Sequence, residues 1–331
     1  VSSTGQPALE RTEVAPPARP PHSHRDVGGR IFASTASAAG TMILVTLAAV
    51  AVFLVVRAWP AMTATPQELT EGIQWFPEGT TLLGFIGPML FGTVLAAVIA
   101  LVIAVPLSIG IALFISHYAP RRAVPALGYL VDLLAAIPSV VYGLWGVAWL
   151  APRLLPAWQW LAEHLGFIPL FSGPAGDPPR VIMTVGVVLA VMVLPIITAV
   201  AREVFLQTPR LHEEAALALG ATRWEMIRMA VLPFGRSGLV SAAMLGLGRA
   251  LGETMAVLMI LSPGFTYSFA LLRAGRHQTI AADIANQFPE ANPLGVSALI
   301  AAGLALFVIT LVVNMAARWV VARRSEYSGA N

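Results

Sequence analysis

The sequence predicts an all-α polytopic membrane protein with six transmembrane helices. Of its 331 residues, 57% are hydrophobic and only 11% are charged, a balance outside the range of ordinary soluble domains. Several uncharged apolar runs exceed the ~20 residues that a helix needs to cross a bilayer. The arginines gather between those runs, and unevenly. Cysteine is absent, which removes disulfide and thiol chemistry. Lysine is absent too, all 20 basic residues being arginine. That excludes a Schiff-base lysine and a Walker A nucleotide site, so any ATP used must be hydrolysed by another chain.

Residues 1–30 are rich in Pro, Ser, Ala and Arg without an apolar period, and are expected to form a disordered tail with no signal-peptide layout. His22 and His24 within it are isolated from other ligands and read as solvated. A six-span domain covers residues 31–325, and 326–331 form a second tail. The spans are expected at about 33–58, within 88–117, and at about 127–150, 181–201, 238–261 and 294–317. Pro195 should kink the fourth. Trp158 and Trp160, in the connection after the third, suit an interfacial belt. Fourteen arginines fall in the first tail, the loop 118–122, the segment 202–236 and the C-terminal end; five lie on the opposite side, and Arg249 is inside a span. The positive-inside rule then places both termini and the segment 202–236 in the cytoplasm. The pI near 9.8 follows from those arginines and needs no nucleic-acid partner.

Within that charged segment, residues 208–235 read as two short helices joined at a glycine. Thr208-Pro209 supplies a cap and a first-turn proline. Gly220 is a stop that tolerates positive φ. Thr222 and Glu225 have the spacing of a capping box, and Pro233 is expected to end the second helix. Ala215, Ala216, Ala218 and Ala221 let another surface approach closely, while Glu213, Glu214, Arg210, Arg223 and Arg228 can set its register by charge. The competing reading is an amphipathic helix lying on lipid. Acids at its start and small residues on its face suit a protein surface better than anionic lipid.

The fifth span carries Arg249 and Glu253, which an unbroken helix would place on one face. A charge at mid-bilayer costs about 2.5–3.5 kcal/mol on insertion scales, so a functional role is the default. Arginine offers a planar fork of donors matched to phosphate, and Glu253 can neutralise it when no anion is present. The alternative is an ion pair that only orders the bundle. Gly248 and Gly252 read as a close helix-packing face. In the third span, Asp132 is a weak gate candidate, or caps or pairs with a nearby arginine, and pairing is the expected reading. Pro138-Ser139 either unwinds the helix or kinks it, and Ser139 and Tyr142 are weak pore candidates. Arg273, Arg276 and His277 in the last outer connection either receive an acidic surface or belong to a plain solvated loop. Arg202 and Glu203 either brace the 208–235 element or anchor the span at the interface. Motifs for metalloprotease or serine-hydrolase chemistry are missing from the sequence.

Glu214-Ala215-Ala216, three residues, Gly220, nine residues and then Ala230-Val231-Leu232-Pro233 resemble the EAA motif of ABC-importer permeases, with Ala230 where the family has Ile. The run Gly246-Leu247-Gly248-Arg249-Ala250-Leu251-Gly252-Glu253-Thr254-Met255-Ala256-Val257 resembles the fifth-span signature of phosphate-importer permeases of the PstC type. Tyr118 to Arg122, Ala136 to Gly143, Leu217 to Pro233 and Gln278 to Ala281 are similar to the same subfamily. The resemblance spans about residues 33–324. It implies a type I importer permease fold in which Glu213, Glu214, Ala215, Ala216, Gly220, Arg223, Leu232 and Pro233 belong to a cytoplasmic coupling helix docked on an ATPase. It implies that Arg249, Glu253 and Thr254 line a phosphate pathway or gate. The implied partners are a PstA-type permease, two PstB-type ATPases that bind ATP and Mg, and a PstS-type phosphate-binding protein, in a bacterial plasma membrane. A permease for molybdate or sulfate, and a scaffold or sensor that moves no phosphate, are the alternatives.

Overall fold

A computed structural model describes residues 27–325, with side chains over 28–319. His22, His24 and residues 326–331 lie outside the described residues, as do the side chains of Arg323 and Arg324. The chain divides into two units, residues 1–51 and 52–331. The first is described only from Val27, where α1 (Val27–Thr63) begins, about one turn before the expected tail boundary. α1 continues into the second unit. There it is followed by α2 (Pro66–Gly72), α3 (Leu82–Leu113), α4 (Val124–Ala135), α5 (Ser139–Trp145), α6 (Ala151–His164) and α7 (Ile182–Leu206). Then come α8 (Arg210–Ala218), α9 (Arg223–Met226), α10 (Leu232–Leu251), α11 (Met255–Ile260), α12 (Ile280–Gln287) and α13 (Pro293–Ser325). Among the described residues, six helices are long and apolar enough to cross a membrane, the number that the sequence predicts.

Two of the six are not where the sequence puts them. The third crossing stretch is Ser139–His164 rather than 127–150. Pro138 has no N–H to donate and restricts Ile137, so the chain breaks over Ala136–Pro138 and α4 stands apart as a helix of 12 residues. The fifth is Arg223–Leu251 rather than 238–261. It stops at Gly252 and restarts as α11. Pro233 therefore does not end a helix.

The reason lies in a device used three times. π-helical turns cover Phe114–Tyr118, Gly146–Leu150 and Ile227–Val231. Each is closed by an N–H from the residue just before a proline: Ala119 to Phe114 O, Ala151 to Gly146 O and Leu232 to Ile227 O. A proline in an unbroken α-helix would collide with the carbonyl four residues back. One wider turn ahead of it changes the bonding register and relieves that conflict. Pro152 and Pro233 are passed in this way, while at Pro120 the helix ends.

The centre of the second unit is the crossing of α3 and α7. At Gly186 of α7, an added Cβ would lie 2.3 Å from Ile99 Cγ2 of α3, so glycine sets the distance of closest approach. Ser108 of α3 donates to Leu194 O, next to Pro195, at 3.1 Å. α10 packs on both helices, and Ala96, Ala100, Val188, Met192, Ile197, Ala242 and Leu251 share one apolar core. A second core joins Ala58 and Ala61 of α1 to Phe85, Met89, Ile280 and Ala298. α6 is held to α7 by Trp158, whose Nε1 donates to Thr184 Oγ1 at 3.0 Å. Trp158 is buried and is not an interfacial anchor, whereas Trp160 is exposed. The last connection is not a plain loop: α12 is tucked inside it, and Ile280 N–H donates to Thr93 Oγ1 of α3 at 3.0 Å.

Candidate functional site

The 208–235 element folds around its glycine. Gly220 has φ +85°. Its N–H bonds to Leu217 O at 3.0 Å and that of Ala221 to Ala216 O at 3.2 Å, the paired bonds of a Schellman stop. Thr222 and Glu225 form the expected capping box: Glu225 N–H donates to Thr222 Oγ1, and Thr222 N–H to Glu225 Oε2 at 2.8 Å. Thr208 does not cap. The residue preceding α8 is Pro209, and the Thr208 hydroxyl is buried without a hydrogen-bond partner.

α8 presents two faces. Ala216 packs toward Phe205, Met226 and Ile227, with Leu232 beside them. Ala215, Ala216, Ala230 and Pro233 line an open groove of about 530 Å³, and Glu214 is exposed. Glu213 turns inward. Its Oε1 lies 3.5 Å from His117 Nε2 at the end of α3, and Ser116 Oγ stands 2.7 Å from the other ring nitrogen. Sequence reading places His117 only at the end of a span; the π-turn that aims it at α8 leaves no local motif beyond Pro120. Arg202 forms an ion pair with Glu203 at 2.7 Å. Its guanidinium lies over Gly128 of α4, where an added Cβ would be 2.1 Å from Nη1, so it braces α4 and not α8.

The second cluster sits where α10 breaks. Arg249 occupies the last turn of α10. It is half-buried, and its Nε is buried with no hydrogen-bond partner. It lines a cavity of 490 Å³ with Ser241, Met244, Leu245, Gly248, Ile196 and Asn314. Glu253 is not on the same helical face. It lies in the non-helical step between α10 and α11, 8% exposed, and its Oε1 accepts from Ala256 N–H at 3.1 Å. The carboxylate therefore caps α11, where the helix dipole favours it, and forms no ion pair with Arg249. Gly252 permits the break; the four-residue spacing misled because it assumes a continuous helix. Thr254 Oγ1 donates to Gly252 O at 3.2 Å in the same step.

Tyr142 lies buried on α5, and its hydroxyl has a partner. That hydroxyl donates to Leu134 O at 2.8 Å and so ties α5 to the end of α4 across the Pro138 break. Ser139 begins α5. Gly143 permits the contact with α11, since an added Cβ would lie 2.9 Å from Ala256 Cα. Glycines that pack α10 on α7 include Gly246, whose Cβ would meet Ile197 at 2.6 Å, and Gly238, whose Cβ would meet Val204 at 2.4 Å. At Gly248 a Cβ would meet nothing within 4 Å; together with the exposed Gly252 it leaves an open face instead of a packed one.

Other expected residues stay apart. Asp132 is exposed on α4 and forms no ion pair among the described residues; its helix ends before the span proper, so the turn it shares holds no basic partner. Arg273 donates to Ser172 O at 3.1 Å. His277 is 1% exposed and bonded to Ser268 O at 2.7 Å, and burial holds its pKa below the usual histidine value. Of the three, only Arg276 is exposed, so they do not form one landing surface.

Residues 104–326 match the family described as the binding-protein-dependent transport system inner membrane component. "Phosphate transport system permease protein PstC 2" of Mycobacterium tuberculosis is 46% identical over 320 residues, covering 95% of each chain. "Phosphate transport system permease protein PstC" of Mesorhizobium japonicum is 40% identical over 304 residues, covering 91% of this chain and 92% of that one. In fold, the chain is similar to a bacterial ABC transporter involved in the import of the acidic polysaccharide alginate, with a TM-score of 0.51 at 17% identity over 89% of this chain and 99% of that one.

Proposed function

The chain belongs to the family of binding-protein-dependent transport system inner membrane components, and from that premise we propose that it is the PstC-type permease of an ATP-driven inorganic phosphate importer. Six crossing helices and that family make it a multi-pass membrane protein. In this reading it lies in a bacterial plasma membrane with both termini inside, because the arginine-rich segments are retained there. It forms half of a pathway completed by a PstA-type permease. A PstS-type protein delivers phosphate outside, and two PstB-type ATPases bind ATP and Mg inside.

The observation that carries the reading is Arg249. A guanidinium whose Nε has no partner stands at a helix break and faces an open cavity, in a chain nearly half identical to proteins named for phosphate transport. Its unsatisfied donors match a phosphate oxygen. Glu253 is close in sequence but committed to α11, so it leaves the arginine free for an anion and holds the break in place. Closure of the partner ATPases would move α8 from the groove beside Ala215 and Pro233. The stretch Arg223–Leu251 then carries that motion to the break, because the π-turn leaves it continuous past Pro233. Alternating access follows if α10 and α11 reorient about Gly252.

The test is ATP-driven uptake of labelled phosphate into vesicles that carry the whole assembly. Arg249→Gln is expected to abolish uptake with the assembly intact. Normal uptake by that variant would remove Arg249 from the pathway. Competition by molybdate or sulfate stronger than by unlabelled phosphate would assign the permease to another oxyanion.

A further inference from the structure

A second group of arginines without ion partners among the described residues stands apart from Arg249. A cavity of 390 Å³ opens where the end of α3, the end of α7, α8 and α9 meet. Arg121, Arg210 and Arg223 line it together with His117. None of the three arginines forms an ion pair among the described residues, and the carboxylate in the wall, Glu213, is already engaged by His117 at 3.5 Å. All three are exposed, and like charges gathered around a concavity draw anions to it. The wall also contains the Thr208 hydroxyl, 5% exposed and without a hydrogen-bond partner, and a buried hydroxyl left unpaired is costly. Its size falls within the ~300–1,000 Å³ of small-ligand sites. A concavity with an orphaned hydroxyl in its wall fits a small oxyanion better than the flat acidic face of a protein.

We propose that this cavity binds a phosphate-class oxyanion, held by Arg121, Arg210 and Arg223, and that occupancy clamps α8 to the end of α3. The arginines come from the α3–α4 loop, α8 and α9, so a bound anion adds a charged bridge to the His117–Glu213 contact and to the packing of Ala216 against Met226 and Ile227. If α8 is the coupling helix, such a clamp would restrain it when product phosphate accumulates on its side of the membrane. That consequence rests on the function proposed above; the binding does not.

The same chemistry is offered by free phosphate and by a phospholipid headgroup. Equilibrium dialysis of labelled inorganic phosphate against the purified full-length chain tests the first, in nanodiscs of phosphatidylcholine alone. Nanodiscs containing phosphatidylglycerol test the second, as loss of phosphate binding by competition. Arg121→Gln and Arg210→Gln are each expected to weaken binding about tenfold, the loss of one charge-assisted contact. Arg121→Lys should restore part of it, and Arg249→Gln should leave this binding in place, which separates this site from the intramembrane one. Competition by phosphatidylglycerol that both Gln variants abolish would assign the site to a headgroup and support the proposal equally. Measured in an Arg249→Gln background, binding that survives both Gln variants would overturn it. So would an absence of binding by both probes, including the case where the variants alter only ATPase copurification.

Discussion

Arg249 was legible at the scale of a single residue because a permanent charge inside an apolar run has few structural uses. Its surroundings were not, since they depend on a helix break that Gly252 allows but does not demand. Asp283 was missed altogether. It lies in what reads as a polar connection, yet it is 1% exposed, and burial raises its pKa to about 6 against a partly opposing bond from Gln278. A carboxyl whose folded pKa is raised favours the fold in its neutral form. That contribution is complete below the ordinary value and is lost as pH rises through about 6. Asp283→Asn removes the dependence. The shift corresponds to a gain on the order of 3 kcal/mol above pH 7, an upper figure because the asparagine must still find partners. The thermal midpoint of the variant in detergent should exceed that of the parent at pH 8 and converge on it near pH 4. A variant less stable by the same margin at both pH values would show that Asp283 serves the fold as a carboxylate.

At the scale of elements, what was legible had a local cause. The Schellman stop at Gly220 and the capping box of Thr222 and Glu225 are written in four to six consecutive residues, and both formed. What was illegible involved proline. Three prolines follow π-turns, and the sequence distinguishes a helix that ends, as at Pro120, from one that continues, as at Pro233, only through the packing beyond. At Pro233 that packing is Leu232 and Ile227 against Phe205. Gly220 permits a clean test of the turn. Its φ is +85° and an added Cβ would touch nothing within 4 Å, so any effect of substitution is conformational. Val carries a left-handed penalty of roughly 1–2 kcal/mol, while asparagine tolerates the region. Gly220→Val is expected to lower copurification of the ATPase and phosphate uptake together, and Gly220→Asn to retain most of both. Equal loss in the two variants would point to contact with the glycine itself and not to the angle of the turn.

At the scale of the whole molecule, the chain has the anatomy of one half of something. α7 is packed on most sides, whereas α10 buries Gly246 and Ala242 and leaves Ser241, Leu245 and Gly248 open beside Arg249. An arginine facing an open cavity is untenable against lipid, because its unsatisfied donors would be left in hydrocarbon. It is reasonable against water or a second permease. In the proposed importer the single α8 per chain points the same way, since the two ATPases of that reading require two docking elements. Gly248 separates the fold of this chain from its pairing. With nothing within 4 Å of an added Cβ, Gly248→Leu should leave the thermal midpoint of the isolated chain unchanged within the ~0.5 kcal/mol typical of a surface change. The same side chain would fill the cavity beside Arg249, so uptake by the assembly should fall at least as far as in Arg249→Gln, with or without loss of the partner permease from the purified complex. A variant that assembles and transports normally would mean that the open face of α10 is turned to lipid, and that the pathway lies elsewhere in the bundle.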